Sequence, residues 1–429
     1  MIGIGIIGLG TVGRGTYAIL ADHNSLIREK TGVDVKVVSI AEIDRQRYQG
    51  LDADGIDFVE DAETLIDNDK VDIVVELVGG TDKAYRYITR ALQKKKWVVT
   101  ANKALLAEKG EELFGMAERQ GCEIGFEAAV CGGIPVIRAI REGLPGNRIG
   151  YLLGILNGTS NYILSKMADE GLAFDAVLGE AQRQGFAEKD PTFDIEGVDA
   201  AHKLCILIRL AFHFPITMDE IVTRGISKVE PIDIDFAREF GYRIKLLAIA
   251  KEEGGLVEAR VEPAMISMNH PMANVNGVYN AVYLVGDKVG PNLYYGKGAG
   301  SDPTGSAVVS DIVDMAARKT SGHARTGFSA HRGDRRMKRG DESTSRFYMR
   351  FKAHDRPGVL SKISGILADY NISIASVVQK ERKEDDYVPI IMLTYEATEE
   401  NLGLAKEKID ALPFVGGESV YMRIEESKL

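Results

Sequence analysis

The stretch GFAEKDPTFDIEGVDAAHK, residues 185–203, sets five carboxylates, those of Glu188, Asp190, Asp194, Glu196 and Asp199, ahead of a lysine, Lys203. The run that follows, LCILIRLAF, is almost wholly apolar. Pro191 pushes Asp190 towards an extended backbone, so the helix is expected to begin near Gly197. Asp199 and Lys203 then lie one turn apart on one face, acid first, the favourable order for an ion pair. A helix that is apolar on all sides is a buried one, so the pair stands at a buried helix mouth. Desolvation and the neighbouring acid act on such an ammonium in opposite senses. A lysine held in this way can serve as a general acid.

GLGTVG, residues 8–13, is a G-x-G-x-x-G turn directly after a strand-like run and ahead of a helical one. In that setting Gly8 allows the tight turn, Gly10 lets the backbone approach a pyrophosphate, and Gly13 lets helix and strand pack closely. Thr11 and Val12 complete the turn, and the helix N-terminus favours phosphate charge. The cofactor expected is therefore NADP or NAD. The second strand runs into SIAEIDRQR, where Glu42 or Asp44 could take a ribose hydroxyl and Arg45 or Arg47 a 2′-phosphate, so both nucleotides stay open. VVTANKALLA, residues 98–107, places Lys103 just beyond a strand end, where ligands of open parallel sheets bind, so that it is also expected to bind the cofactor near its nicotinamide. Hydride delivery to an aldehyde creates an alkoxide, which needs a cationic donor to stabilise and protonate it. Lys103 and Lys203, from separate segments, could converge on that oxygen, with acids of the 185–203 stretch binding a substrate ammonium. In LNGTSNYIL, residues 156–164, the Gly158–Thr159 turn offers N–H groups and hydroxyls to a carboxylate, or simply a helix cap.

These residues need a scaffold, and the pattern of apolar runs supplies one. Short Val/Ile-rich runs at 2–7, 35–41, 71–78, 97–101 and 123–130 alternate with amphipathic segments at 83–95 and 109–121. That alternation predicts βαβ units and a parallel sheet covered on both faces, a Rossmann-type α/β domain. The division expected is 1–133 for this domain, completed by a returning segment at 300–320, and 134–299 for an α+β catalytic and dimerisation domain. Helices are expected over 199–213 and 236–251, and a strand in LVEARVEPAMI. The basic, Gly-rich 321–345 is read as a linker. Residues 346–429 alternate as βαββαβ, the ferredoxin-like arrangement.

Composition narrows the function classes. A chain of 429 residues accommodates two or three domains, and 45% apolar residues suffice for full cores. A formal charge of -10 argues against a nucleic-acid partner. Three cysteines, Cys122, Cys131 and Cys205, form neither a disulfide framework nor a zinc pattern. MIGIGIIGLG has no basic flank and no membrane-length run, so a cytoplasmic protein without a membrane partner is expected.

GLGTVG, ELVGG, VVTANKALLA, LNGTSNYIL and above all GFAEKDPTFDIEGVDAAHK, in this order and spacing, resemble the homoserine dehydrogenase family in its longer bacterial form, with a C-terminal ACT domain. The resemblance covers nearly the whole chain. It implies interconversion of L-homoserine and L-aspartate 4-semialdehyde with NAD(P), on the route to threonine and methionine. By the family pattern Lys203 is the proton donor, Lys103 the second active-site lysine, and Glu188 the carboxylate on the substrate amine. Asp194 and Asp199 support the site, Gly158 and Thr159 touch substrate, and Gly300 lies at the nicotinamide end. The family pattern also implies a monovalent cation, Na+, at Glu127 and the carbonyls of Val130, Gly132 and Ile134. The usual small-residue run after the GAG turn is departed from at Ser301 and Asp302. HDRPGVL and DYNISI resemble ACT-domain segments, with Asp355, Gly358 and Asn371 at the effector positions and threonine as the implied effector. A homodimer or homotetramer is implied. Two other readings fit parts of the sequence. A different amino-acid dehydrogenase is opposed by DPTFDIEG. A non-catalytic nucleotide and amino-acid sensor would have no use for a proton donor.

Overall fold

The computed structural model describes residues 1–51, 54–325, 330–379 and 387–426. The chain divides into two compact units: Met1–Gly158 with Val198–Ile221 and Val278–Asp334, and Thr159–Gly197 with Val222–Gly277 and Arg335–Leu429.

The first unit is built on an all-parallel sheet of β1 (Ile2–Ile7), β2 (Val35–Ala41), β3 (Asp57–Val59), β4 (Ile73–Glu76), β5 (Trp97–Thr100) and β6 (Ile124–Gly125) in the order β3-β2-β1-β4-β5-β6. Its central strands are buried along their length, as Val/Ile runs without polar alternation require. The strand order reverses between β1 and β4, which makes that edge the binding crevice of a doubly wound sheet. The helix Thr11–Asp22 follows β1 and packs on the returning helix Ser301–Ser321. Glycines make that approach possible: a Cβ on Gly15 would lie 2.4 Å from the Ser301 carbonyl oxygen, and one on Gly305 would lie 2.8 Å from the Gly15 backbone. An antiparallel set, Ile149–Ile155, Tyr279–Gly286 and Gly290–Lys297, completes the unit's strands.

In the second unit Tyr242–Glu253 and Leu256–Ser267 form a long antiparallel hairpin. Leu256–Ser267 also pairs in parallel with Val420–Glu425, which continues antiparallel into Thr344–His354, Tyr387–Thr394 and Ile374–Gln379. The helices Val359–Asp369 and Glu399–Asp410 supply Ile363, Leu367, Leu402 and Ile409 to the core under that sheet, giving the βαββαβ fold.

Two expectations fail locally. The helix over 236–251 is instead a helix Pro231–Glu239, ended by Gly241 at φ 80°, followed by the strand Tyr242–Glu253. The signal missed is Gly254–Gly255, with φ of 59° and 82°, the left-handed pair that a tight hairpin turn needs. The strand over 123–130 is only Ile124–Gly125, because the Glu127 N–H donates to the Asp311 carboxylate and the chain turns into a short 3-10 helix. In the basic run after 318, residues 326–329 lie outside the described set. Several of its arginines are ion-paired: Arg325 with Glu142 (2.8 Å), Arg332 with Glu220 (2.5 Å), Arg336 with Glu342 (2.5 Å) and Arg339 with Asp341 (2.9 Å). Among the described residues no helix is long and apolar enough to cross a membrane.

Candidate active site

The glycine turn has the shape a dinucleotide needs. Gly8 sits at φ 94°, and a Cβ there would come 2.9 Å from the Leu77 carbonyl oxygen. A Cβ on Gly13 would come 2.0 Å from the Gly8 carbonyl oxygen. Gly10, which caps the helix Thr11–Asp22, would meet nothing nearer than Arg47 Nη1 at 3.9 Å, so its face is open to a ligand. Gly300, at φ 123°, caps Ser301–Ser321, and the Ser301 hydroxyl donates to the Thr11 carbonyl at 3.0 Å. The departure at Ser301 thus ties the second glycine turn to the first. Of the four side chains weighed for the ribose, Asp44 caps its own 3-10 turn and Arg45 pairs with Glu60. Glu42 accepts from the Leu9 N–H at 2.7 Å and faces Arg47 at 3.3 Å. Burial alone would raise the Glu42 carboxyl, but the N–H donors and Arg47 hold it below its usual value.

The lysines meet on one carboxylate. The helix Val198–Phe212 begins at Val198 and is buried almost throughout, which puts Asp199 and Lys203 on the same inner face. Lys203 Nζ donates to Asp199 Oδ2 and to the Leu156 carbonyl, both at 2.6 Å. Lys103 Nζ lies 3.2 Å from the other oxygen, Asp199 Oδ1. Burial alone would raise the Asp199 carboxyl, but Lys203 and Lys103 outweigh it and hold it well below the carboxylate range. Two cations on one anion leave a local excess of positive charge, suited to an oxygen that becomes negative during reaction. Lys103 is the more exposed of the two, 38% against 11% for the Lys203 side chain.

Family models match residues 8–127 as "Homoserine dehydrogenase, NAD binding domain", 135–313 as "Homoserine dehydrogenase" and 347–414 as an ACT domain. The homoserine dehydrogenase of Pseudomonas aeruginosa is 44% identical, over 99% of this chain and 98% of its own length. The chain belongs to the homoserine dehydrogenase family. The Bacillus subtilis homoserine dehydrogenase is 36% identical, over 99% of this chain and 98% of its own. The crystal structure of a homoserine dehydrogenase from Thiobacillus denitrificans superposes with a TM-score of 0.93 at 46% identity, covering 99% and 98% of the two chains. A hyperthermophilic archaeal homoserine dehydrogenase in complex with NADPH superposes with a TM-score of 0.63 at 28% identity, over 76% of this chain and 99% of its own. The enzyme is thus an NAD(P)-dependent oxidoreductase acting on a CH–OH group.

Other site residues of the homoserine dehydrogenase pattern fall in separate places. Gly158 opens the helix Gly158–Glu170, and a Cβ there would sit 2.8 Å from the Val278 carbonyl oxygen. Thr159, Glu188 and Asp194 belong to the second unit. There the Thr159 hydroxyl donates to the Phe186 carbonyl (2.7 Å) and the Ser160 hydroxyl to the Asp194 carbonyl (2.8 Å), which ties the helix start to the acidic stretch. The Glu188 side chain is exposed. At the loop 127–134 both Glu127 oxygens accept N–H groups, from Ile137 and Arg138, each at 2.8 Å. Burial and then the nearby Asp311 push the Glu127 carboxyl up to about 7. Cys131 and Gly132 follow with φ of 56° and 48°, an irregular turn in which the Cys131 carbonyl accepts the Ile134 N–H at 3.0 Å and the Ile134 carbonyl the Val136 N–H at 2.8 Å. In the ACT domain Gly358 caps Val359–Asp369 at φ 88°, Asn371 has φ 55°, and Asp355 Oδ1 accepts from Gln379 Nε2 at 3.2 Å.

Residue types alone did not disclose Asn157 and Asn280. Asn157 Nδ2 donates to Asp199 Oδ2 at 2.9 Å, and Asn280 Nδ2 to the Leu156 carbonyl at 2.9 Å, so both hold the partners of Lys203. Asn157 directly precedes Gly158 at a strand end, a position that could have drawn attention to it.

Proposed function

We propose that the enzyme interconverts L-homoserine and L-aspartate 4-semialdehyde with Lys203 as its proton donor. The observation that carries this is the Lys103–Asp199–Lys203 cluster, two ammonium groups on one buried carboxylate. The nicotinamide cofactor, when bound, supplies or takes the hydride. Gly8, Gly10, Thr11, Val12 and Gly13 would hold its pyrophosphate and Gly300 its nicotinamide end, a fit supported by the open face of Gly10. In the reducing direction the Lys203 ammonium gives its proton to the oxygen that becomes the homoserine hydroxyl. In the oxidising direction the amine takes that proton back, and Asp199 stabilises the ammonium formed. Lys103 adds its charge at the same oxygen. Glu188 takes the substrate ammonium, with Asp194, Gly158 and Thr159 as further substrate residues; the family pattern supports these assignments.

A monovalent cation, Na+, is assigned to Glu127 and the carbonyls of Val130, Gly132 and Ile134. A buried carboxylate with no ion-pair partner among the described residues supports it, and equal activity in sodium and tetramethylammonium salts would remove it. A cytoplasmic homodimer or homotetramer, and threonine at Asp355, Gly358 and Asn371, complete the reading. The deciding experiment is homoserine-dependent reduction of NAD and of NADP, in the wild type and in Lys203→Ala. The variant is expected to lose about 10²–10⁴-fold in kcat. Full activity in the variant would refute Lys203 as donor, and the two nucleotides side by side give the preference.

A further inference from the structure

Glu76 is the last residue of β4 and is fully buried. It lies in register with Ile7 of β1 on one side and Thr100 of β5 on the other, at the point where the strand order reverses. Its Oε1 accepts the Val78 N–H at 2.8 Å, and its Oε2 accepts the Thr100 hydroxyl at 2.6 Å. That hydroxyl in turn accepts the Asn102 N–H at 3.0 Å. Asn102 then reaches back, its Nδ2 donating to the Gly80 carbonyl at 2.8 Å, while its Oδ1 caps the helix Lys103–Gln120 through the Leu105 N–H at 3.1 Å. The loop after β4 and the loop after β5 are thereby closed into one hydrogen-bonded ring. Lys103 is the next residue out of that ring.

The arrangement is costly for its own unit. The groups facing the carboxylate are a hydroxyl and an N–H, and among the described residues it has no ion-pair partner. Burial pushes the acid up to about 7, against the pull of Thr100 and Val78. Buried acids with only neutral donors lower stability, and sites that break the local rule in this way are where function is to be sought. The ring also has a direction. Because Oγ1 of Thr100 accepts from Asn102, its own proton must point at Glu76, and only an acceptor there keeps every member satisfied. A glutamine has one acceptor oxygen for these two donors: turned to the Thr100 hydroxyl it sets its NH2 against the Val78 N–H, and turned to Val78 it sets it against the hydroxyl proton.

We propose that Glu76 is a positioning residue: its carboxylate orders the Thr100 hydroxyl and, through Asn102, fixes the loop that presents Lys103 to Asp199. The proposal rests on the reading of Lys103 as an active-site lysine. It is tested in the full chain with Glu76→Gln, Thr100→Val, Thr100→Ser and Lys103→Met. Glu76→Gln is expected to lower kcat at least about ten-fold, since small misplacements of reacting groups cost that much or more. For Thr100→Val, which leaves the Val78 bond beside the glycine turn intact, NADPH dissociation, read by fluorescence, is expected to stay within about two-fold. The folded-state value of Glu76 lies above its ordinary one, so its contribution is lost as pH rises through about 7. At pH 8 the glutamine variant should therefore melt higher than the wild type while working more slowly. Thr100→Val should match its rate loss and Thr100→Ser should restore the rate. In the Lys103→Met background Glu76→Gln should add almost nothing. Multiplying losses in the double variant, or a fall in melting temperature alongside kcat, would overturn the proposal. Lys103→Met with wild-type kcat would instead overturn the reading of Lys103 beneath it, and the proposal with it.

Discussion

Asp199 has the most demanding task of any residue in the site. It is buried, it accepts from Asn157, and it offers one oxygen to each lysine. Removing one partner of a buried charged group leaves the others uncompensated, so Asp199→Asn is expected to cost about 3 kcal/mol at pH 7 by urea unfolding. The sign of its pH dependence follows from its lowered pKa. The stability it contributes is present above the ordinary aspartate range and is lost as pH falls below it, so the variant should show a flatter acid limb than the wild type. An unchanged acid limb would mean that the lysines do not depend on this carboxylate. The Asp199–Lys203 pair was legible because four residues are one helical turn, a local relation. Asn157 and Asn280 were not, because their roles arise where separate segments approach in space. The sequence likewise offered Glu42, Asp44, Arg45 and Arg47 as equals, whereas the fold engages Asp44 and Arg45 elsewhere.

At the scale of elements, the glycine turn separates packing from binding. A methyl on Gly13 would collide with the Gly8 carbonyl, whereas one on Gly10 would meet only the end of Arg47 at 3.9 Å. Gly13→Ala is therefore expected to lower the melting temperature and nucleotide affinity together. Gly10→Ala should keep the wild-type melting temperature yet weaken nucleotide binding at least about ten-fold, because the backbone can no longer approach the pyrophosphate. Calorimetry with NADPH titration checks both, and equal melting losses would refute the distinction. The parallel strands were legible because short Val/Ile runs buried on both faces carry their own signature. The hairpin of Tyr242–Glu253 and Leu256–Ser267 was missed because its first strand, YRIKLLAIAKEE, is rich in residues that suit a helix equally well. What decides it is twelve residues of partner strand and a Gly–Gly turn, and only the turn is local.

At the scale of the molecule, the ACT segment is no appendage of the second unit. Its last strand pairs with Leu256–Ser267, and ion pairs run through the junction: Arg260 reaches Glu258 (3.0 Å), Glu262 (2.8 Å) and Glu399 (2.6 Å), while Arg423 reaches Glu258 at 3.2 Å. Composition showed a polar, Gly-rich linker, but the pairing of Arg336–Met337 with Leu256–Val257 depends on tertiary partners that composition does not carry. Cutting the chain ahead of the ACT segment would bare a strand edge and strand these charges, so an effector is better tested by point changes in the full chain. Asp355→Ala and Asn371→Ala should weaken inhibition by threonine without altering uninhibited activity, and equal inhibition of all forms would refute those positions as the effector site. The junction itself has an acid signature. Burial alone would raise the Glu399 carboxyl, but Arg260 and Arg224 hold it at about 2, below its usual 4.5. That difference corresponds to about 3 kcal/mol, present above pH 4.5 and lost as the pH falls towards 2. Glu399→Gln should therefore be less stable at neutral pH and should lose little more on acidification, and an acid limb as steep as that of the wild type would show that this carboxylate does not hold the junction.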